Sequence, residues 1–401
     1  MVALPWRSRR PSGALHCRAV RASGGPHEPG ARRPQSHPKK LLRTAPLPMD
    51  ITELNEPGYE KVVRCVDEES GLHAFIAVHD TTLGPALGGM RMLPYASEDE
   101  AIFDVKRLSR GMTYKSAVAN TGLGGGKSVI IGDPAGKTPE LFHAMGRFVD
   151  SVGGKYITAE DMNIGIADLQ EVKKFTSYVT GLSREDGGSG NPSPYTARGV
   201  VMGMRAVLEE VFGSDSFEDR TILIQGVGAV GQPMATDMKE RGAKILVCDI
   251  DEKRAARFAE EHGFEHVPDL DHHKREIDVY APCARGAGVN DRTIGELRCK
   301  AIAGCANNIL LEPRHGDELK AKGILYAPDY VINAGGIINV SVEVSPGGYD
   351  EAAAIERIDG IYDNLKEVFQ IAREENIGTE VAADRLAERR LEAARQATQE
   401  A

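Results

Sequence analysis

Two lysines, Lys115 and Lys127, stand on either side of a glycine-rich segment that reads Leu123-Gly-Gly-Gly-Lys127. If both ammonium groups face one dry cleft, each raises the cost of protonating the other, and desolvation acts in the same direction. One lysine could then be a neutral general base, while the other stays charged and binds an anion such as a carboxylate. We expect the glycines to form a turn. The alternative is a pair of surface lysines, because lysine is seldom buried, but the apolar run Val129-Ile-Ile131 after Lys127 is typical of a buried strand.

A second motif predicts a dinucleotide site. Thr221–Gln225 reads as a strand, and it leads into a G-x-G-x-x-G turn formed by Gly226, Gly228 and Gly231, followed by a helix through Lys239. In this fold the first glycine makes the turn, the second lets a pyrophosphate approach, and the third lets the helix pack on the strand. A second strand ends at Asp249, whose carboxylate would accept ribose hydroxyls and repel a 2′-phosphate, which favours NAD over NADP. Alternatively, Asp249 only caps the next helix.

These motifs must be positioned by alternating strands and helices. Leu72–Val78 and Ser128–Ile131 read as strands, and Ser97 to Arg110 reads as a helix with a capping box from Ser97 and Glu100. A second helix is predicted from Ala197 to Val211, after a break at Asn191–Thr196. Three short apolar runs are typical of parallel strands: Asp278–Ala281, Ala301–Ala303 and Ile324–Tyr326. One long helix is predicted from Asp350 to Glu375, crossing back between two domains.

Charge separates the first 48 residues from the rest of the chain. They carry a formal charge of +9 and the remainder carries −19. We interpret residues 1–48 as a disordered basic extension, either a transit peptide or an upstream mis-start before Met49. The acidic remainder argues against nucleic-acid binding. Since 401 residues exceed what one core usually serves, we expect a domain over residues 49–190, a nucleotide-binding domain over residues 191–375, and a C-terminal segment, residues 376–401, that packs back on the first.

Other classes of site find little support. No apolar run is long enough to cross a bilayer, so no membrane partner is expected. The six cysteines form no C-x-x-C pair, which suits a reducing compartment and predicts a cytoplasmic protein. No metal-ligand cluster stands out, and His272 and His273 are expected to be solvated in a charged loop.

From Met49 to about Arg395 the chain resembles the glutamate, leucine, phenylalanine and valine dehydrogenases, and within them the leucine enzymes. The segments that carry the resemblance are Gly84–Arg91, Gly111–Lys115, Leu123–Ile130, Thr158–Asp161, Ser189–Ser193, Tyr280–Cys283, Ala306–Asn308 and Pro328–Gly336. The resemblance implies an α/β protein with an N-terminal α/β substrate domain, a Rossmann-type NAD-binding domain, and the active-site cleft between them. It also implies reversible, NAD-dependent oxidative deamination of an L-amino acid to a 2-oxo acid and ammonia, by a homo-oligomer.

The same resemblance assigns roles to individual residues. Lys115 would pair with the substrate carboxylate, Lys127 would activate water, and Asp161 would exchange protons with the amino group. Backbone at Gly88 and Gly89 would line the cleft. Three further side chains would lie at the nicotinamide or the cleft: Thr196, Asn308 and Asn333. For the two asparagines a structural role in turns is the alternative.

Substrate choice depends on the side-chain pocket. Glutamate-specific relatives have a lysine and a serine where this chain has Leu87 and Val340, and a carboxylate buried there without a partner would cost several kcal/mol. With Leu87, Ala159, Ile337 and Val340 as walls, a branched aliphatic substrate is expected, and phenylalanine or another apolar amino acid is the alternative. These four residues could also be ordinary core.

Two rival functions remain open. A noncatalytic NAD-binding regulator could keep the fold, but it would not need Lys115, Lys127 and Asp161 together. A Rossmann oxidoreductase acting on a hydroxy acid would usually need a histidine base, and no histidine lies in the motifs above.

Overall fold

The computed structural model describes residues 49–268, 272–284 and 286–400, and in this part of the chain the strands form two six-stranded sheets. The prediction for residues 1–48 lies outside the described residues. The first sheet has the order β1-β2-β3-β5-β4-β6. Its strands are β1 (Asp50–Leu54), β2 (Lys61–Asp67), β3 (Leu72–Asp80), β4 (Ala86–Leu93), β5 (Gly124–Ile131) and β6 (Tyr156–Ala159).

Three helices accompany the first sheet: α1 (Glu98–Val118), α2 (Pro139–Ser151) and α3 (Ile166–Lys173). Helix α1 begins where the sequence predicted, because the Ser97 hydroxyl accepts a hydrogen bond from the backbone N–H of Glu100 at 3.2 Å. It continues beyond the predicted end at Arg110 to Val118, so that Lys115 lies in its last turn. Strands β5, β4 and β6 are parallel to one another, whereas β1, β2, β3 and β5 pair antiparallel.

The second sheet is parallel throughout, with the order β12-β11-β10-β7-β8-β9. Its strands are β7 (Thr221–Gln225), β8 (Lys244–Cys248), β9 (Glu265–His266), β10 (Val279–Pro282), β11 (Ala301–Ile302) and β12 (Leu325–Tyr326). This is the doubly wound order 3-2-1-4-5-6 of a Rossmann fold, so the predicted α/β fold class with a Rossmann-type parallel sheet is confirmed.

Within the described residues, nine helices lie in the part of the chain that contains this sheet: α4 (Ser193–Phe212), α5 (Gly231–Glu240), α6 (Glu252–His262), α7 (Arg314–Ala321), α8 (Asp329–Ile332), α9 (Gly335–Val342), α10 (Glu351–Asp359), α11 (Ile361–Glu375) and α12 (Thr379–Glu400). Helix α12 packs against α11 and against α1 of the first sheet. A large apolar cluster joins residues of α4, α11 and α12 to the C-terminal end of α1. Within the described residues, no helix is both long and apolar enough to span a membrane.

Four local predictions are wrong. The glycines before Lys127 are strand, not turn, because Gly124–Gly126 lie inside β5. The predicted helix from Asp350 to Glu375 is divided into α10 and α11 at Gly360, consistent with the low helix propensity of glycine. Helix α4 begins at Ser193, within the predicted break, because a proline at the first turn is compatible with a helix.

The fourth error concerns two histidines. His272 and His273 are buried rather than solvated. Nε2 of His272 lies 3.1 Å from the Tyr280 hydroxyl, and Nε2 of His273 lies 2.8 Å from Glu296 Oε2. Each imidazole therefore has a polar partner, which makes its burial possible.

Candidate active site

Lys127 and Asp161 form an ion pair at the centre of the first sheet. Lys127 lies in β5 and is only 5% exposed to solvent. Asp161 lies just after the end of β6. Strand β4 lies between β5 and β6, and it carries Gly88 and Gly89 at this point. A Cβ at Gly89 would lie 2.4 Å from the Glu160 carbonyl oxygen and 2.8 Å from the Asp161 Cβ. The absence of a side chain on β4 therefore lets Asp161 come close to Lys127.

Burial and neighbouring charges set the protonation of this pair. Burial lowers the pKa of Lys127, an effect that Asp161 opposes and Arg91 reinforces. Burial raises the pKa of Asp161, but the positive charges of Lys127 and Arg91 outweigh it, so the net shift is downward. The site therefore favours an ionised aspartate beside an amine that loses its proton more readily than a free lysine.

Lys115 reaches the second sheet from the last turn of α1. Its Nζ donates a hydrogen bond to Asn333 Oδ1 at 2.6 Å. The amide nitrogen of Asn333 donates to the Cys305 carbonyl at 3.1 Å and to Asn307 Oδ1 at 2.7 Å. Burial lowers the pKa of Lys115 to about 8, with Asp329 opposing the shift and Lys127 adding to it. An ammonium with this pKa is mostly charged at neutral pH and can hold a carboxylate.

Apolar side chains from both halves of the chain form a wall beside these lysines. Leu87 of β4 belongs to one apolar cluster with Ile337 and Val340 of α9. Ala159 is the last residue of β6 and pairs with Gly89 of β4, so β4 separates it from Lys127 on β5. Three members of this wall were not found from the sequence: Leu123, Ile157 and Tyr178. Leu123 stands in the glycine-rich segment but was given no role there, and Ile157 and Tyr178 lie in none of the motifs. The three meet only because the strands and α9 converge.

The glycine-rich loop after β7 has the backbone that its motif requires. Gly226 has a φ of +106°, in the region that favours glycine. A Cβ at Gly231 would lie 2.0 Å from the Gly226 carbonyl oxygen, so this glycine lets α5 pack against the turn. Next to Gly228 there is no heavy atom within 4 Å of an added Cβ. The loop therefore offers open space at the position where a pyrophosphate would approach the backbone.

Asp249 is held at the end of β8 by three donors. Its Oδ2 accepts from the Val227 N–H at 2.9 Å, and its Oδ1 accepts from the Asp251 N–H at 2.9 Å and from Arg254 Nη2 at 2.7 Å. Asp251, not Asp249, caps the following helix. Since a carboxylate has about four acceptor positions, about one remains for a ligand hydroxyl. The contact with Arg254 was not expected from the sequence.

Two further predicted residues, Thr196 and Asn308, lie in the part of the chain that follows the first sheet. Thr196 lies in the first turn of α4, where its hydroxyl donates to the Pro192 carbonyl at 3.1 Å. A Cβ added at Gly336 would lie 2.8 Å from the Thr196 hydroxyl, so Thr196 adjoins the start of α9. Asn308 has a φ of +53°, and its carbonyl accepts from the Ala287 N–H at 2.6 Å. In the described ranges, no group of three or more His, Cys, Asp or Glu side chains could hold a metal ion.

Comparisons with known proteins agree with this arrangement. Residues 60–178 match a family profile described as the dimerisation domain of Glu/Leu/Phe/Val dehydrogenases. Residues 187–253 and 247–398 match the profile of the glutamate/leucine/phenylalanine/valine dehydrogenases. The chain is 54% identical over 340 residues to a leucine dehydrogenase of Geobacillus stearothermophilus, covering 84% of this chain and 92% of that protein.

Relatives with other substrates in their names are also similar. A phenylalanine dehydrogenase of Caldalkalibacillus thermarum is 47% identical over 341 residues, covering 83% of this chain and 91% of that protein. The crystal structure of an L-tryptophan dehydrogenase from Nostoc punctiforme superposes with a TM-score of 0.78 at 42% identity. It covers 84% of this chain and 97% of its own.

Proposed function

The chain belongs to the glutamate, leucine, phenylalanine and valine dehydrogenase family of oxidoreductases, and from this premise we propose that it catalyses the reversible, NAD-dependent oxidative deamination of branched-chain L-amino acids. The products would be a 2-oxo acid and ammonia. The observation that carries the proposal is the Lys127–Asp161 pair beside an apolar wall made by Leu87, Ile337 and Val340.

The wall argues for an uncharged substrate side chain. Leu87 and Val340 contribute no donor or counter-charge, so a γ-carboxylate placed against them would lose its hydration without compensation, at a cost of roughly 2–7 kcal/mol or more. The leucine dehydrogenase of G. stearothermophilus is the more similar of the two curated relatives compared above, which also favours a branched aliphatic chain. Phenylalanine or another apolar amino acid is the second candidate, because relatives named for aromatic substrates are 42–47% identical.

Lys115 supplies the counter-charge for the α-carboxylate. Its ammonium has three donors, and one of them is used by Asn333. The other two can bind a carboxylate oxygen. Asn333 holds the ammonium in place through its own bonds to Cys305 and Asn307, so a substrate would meet a cation that is already oriented.

The proton chemistry falls to Lys127 and Asp161. A substrate amine must be neutral before it can be oxidised, and the Asp161 carboxylate is placed to take its proton. Bound NAD would accept a hydride from Cα, which leaves an iminium ion on the substrate. Lys127, when neutral, can take a proton from the water that attacks this ion. The carbinolamine that forms then loses ammonia, as its nitrogen gains a proton and its hydroxyl loses one, which gives the 2-oxo acid. The lowered pKa of Lys127 makes its neutral form available at lower pH than in a free lysine.

The nucleotide loop fits NAD. Gly228 leaves room for the pyrophosphate at the N-terminal end of α5, and Asp249 keeps about one acceptor position for a ribose hydroxyl. Within this proposal, residues 49–190 bind the amino acid and residues 191–375 bind the cofactor, with Thr196 and Asn308 near the nicotinamide. The description of residues 60–178 as a dimerisation domain supports a homo-oligomer. The cytoplasmic location stays a prediction.

The test is a panel of L-amino acids assayed with NAD and with NADP by the absorbance of the reduced cofactor. We expect leucine, valine and isoleucine to be oxidised well with NAD, and glutamate poorly. The double variant Leu87→Lys, Val340→Ser should shift preference towards glutamate. Val344→Ser is the control, because Val344 lies beyond α9 and is partly exposed. No oxidation of any amino acid would overturn the proposal, and a preference for phenylalanine would overturn its branched-chain part.

A further inference from the structure

Arg91 connects the Lys127–Asp161 pair to a second buried carboxylate. It lies in β4, two residues after Gly89, and its side chain is 15% exposed. Its Nη2 lies 3.3 Å from Asp161 Oδ2, the same oxygen that accepts from Lys127. Its Nη1 donates to Asp104 Oδ2 at 3.1 Å. One guanidinium therefore joins two carboxylates, of which only Asp161 touches the lysine.

Asp104 fixes the guanidinium in this position. It is buried on α1, its Oδ2 also accepts from the Tyr95 hydroxyl at 2.7 Å, and its Oδ1 accepts from Arg107 Nη2 at 2.9 Å. A buried charge with several hydrogen bonds has little freedom to move. Arg91 thus receives its orientation from Asp104 of α1 and contacts Asp161 in that orientation.

The charges of this cluster act on the lysine in opposite directions. A cation near Lys127 disfavours its protonated form, and a carboxylate favours it. Arg91 is such a cation, Asp104 is such a carboxylate, and both influence Lys127. Without Arg91, Lys127 would be the main counter-charge of Asp161 and would be held protonated. With Arg91 present, Asp161 stays ionised while Lys127 is free to give up its proton.

We infer that Arg91, oriented by Asp104, is a positioning residue that keeps Asp161 ionised and makes the neutral form of Lys127 available for proton transfer. The inference rests on the proposed function for its catalytic meaning, but its effect on Lys127 can be measured without substrate. A purely structural ion pair between Arg91 and Asp104 is the competing explanation, since breaking a buried pair destabilises a fold in any case.

The experiment follows kcat/KM against pH for wild type, Arg91→Gln and Asp104→Asn. In Arg91→Gln the acidic limb should move up by about one pH unit, because a neighbouring charge shifts a pKa by about 1–3 units. The deficit should be large at pH values below the wild-type acidic limb and small above the shifted one. In Asp104→Asn the amide oxygen can still accept the hydrogen bond from Arg91, so the guanidinium keeps its orientation. The acidic limb should then move down, because a carboxylate that favours the protonated lysine is lost. Arg107→Gln is the control, since Arg107 contacts Asp104, is 50% exposed and has no contact with Asp161.

A second readout makes the result independent of turnover. Competitive labelling of lysine amines with acetic anhydride, followed by mass spectrometry, gives the midpoint pH at which Lys127 becomes reactive. This midpoint should rise in Arg91→Gln and stay unchanged in Arg107→Gln. A uniform loss of activity at every pH with an unchanged midpoint would overturn the inference. A shifted midpoint in a protein that oxidises no amino acid would overturn the proposed function alone.

If Arg91→Gln does not fold, Asp104→Asn and Arg91→Lys decide the question. A lysine keeps the positive charge but has no planar guanidinium to bridge two carboxylates. In Arg91→Lys the acidic limb of the kcat/KM profile should therefore move up by less than one pH unit. Asp104→Asn should still move the limb in the opposite direction. Shifts of the same sign in these two variants would also contradict the inference.

Discussion

At the scale of residues, the two lysines differ in what surrounds them. Lys127 is almost fully buried and meets a carboxylate that also contacts a guanidinium. Lys115 meets a neutral amide and is influenced by Asp329 at a greater distance. A general base must change protonation during turnover, whereas a carboxylate anchor must not. The Asp161 carboxylate can exchange a proton with Lys127, whereas the Asn333 amide cannot take one from Lys115. This difference favours Lys127 as the base and Lys115 as the anchor.

This division predicts distinct kinetic effects for the two lysines. Lys127→Ala should lose at least about a hundredfold in kcat, the lower range for a missing general base, while the dissociation constant for NAD stays within about twofold. Lys115→Met should raise KM for the amino acid as well as lower kcat, because the carboxylate loses its counter-charge. Steady-state kinetics and calorimetric NAD titration measure both. Wild-type turnover in Lys127→Ala would remove this lysine from the mechanism.

At the scale of elements, the glycines of β5 let α1 lie close to the first sheet. A Cβ at Gly125 would lie 2.1 Å from both the backbone nitrogen and the hydroxyl of Thr113 on α1. Gly125, the middle glycine of the three, is therefore a packing surface for the helix that carries Lys115. Close packing of α1 on β5 brings Lys115 near the strand that carries Lys127.

Gly125→Ala should therefore destabilise the protein by about 1–3 kcal/mol or more, as overpacking does in a close-packed interior. The matched control is Gly111→Ala on α1, where an added Cβ meets no heavy atom within 4 Å. An alanine in the middle of a helix should stabilise by roughly 0.5–1 kcal/mol relative to glycine. Urea unfolding followed by circular dichroism measures both variants. Equal stability of the two would contradict the packing argument.

The elements also show which features a sequence can reveal. Strand β7 and the turn at Gly226 matched their prediction, because glycine spacing reports a backbone requirement within a few residues. The sequence did not reveal that Gly124–Gly126 are part of a strand. Glycine is required there because neighbouring atoms leave no room for a side chain, not because the chain turns. No role was predicted for Arg91 and Asp104 for a similar reason. The strand order β5-β4-β6 brings the Arg91 side chain next to Asp161, and no local spacing encodes that order.

At the scale of the whole molecule, α12 connects α1, which packs on the first sheet, with α11, which belongs to the second half of the chain. Arg390 of α12 donates to the Val118 carbonyl at 2.6 Å and to the Ala117 carbonyl at 3.3 Å, at the C-terminal end of α1. Its other terminal nitrogen donates to Asn364 Oδ1 at 2.9 Å and Glu367 Oε2 at 2.7 Å on α11. A cation at a helix C-terminus also opposes the negative end of the helix dipole. One side chain thus holds α1, α11 and α12 together.

Arg390→Ala should therefore affect both stability and substrate binding. Its side chain is 25% exposed, and hydrogen bonds to a charged group contribute about 1.5–3 kcal/mol, so the thermal midpoint should fall by several degrees. Because Lys115 lies one turn before Val118, loosening this end of α1 should also raise KM for the amino acid. Arg385→Ala is the matched control on the same helix. Arg385 is 49% exposed, and its ion pairs with Glu375 and Glu388 are 3.5 Å long, so its loss should cost about 0–1 kcal/mol and leave KM unchanged. If the two variants have the same midpoint and KM, α12 does not position Lys115 through Arg390.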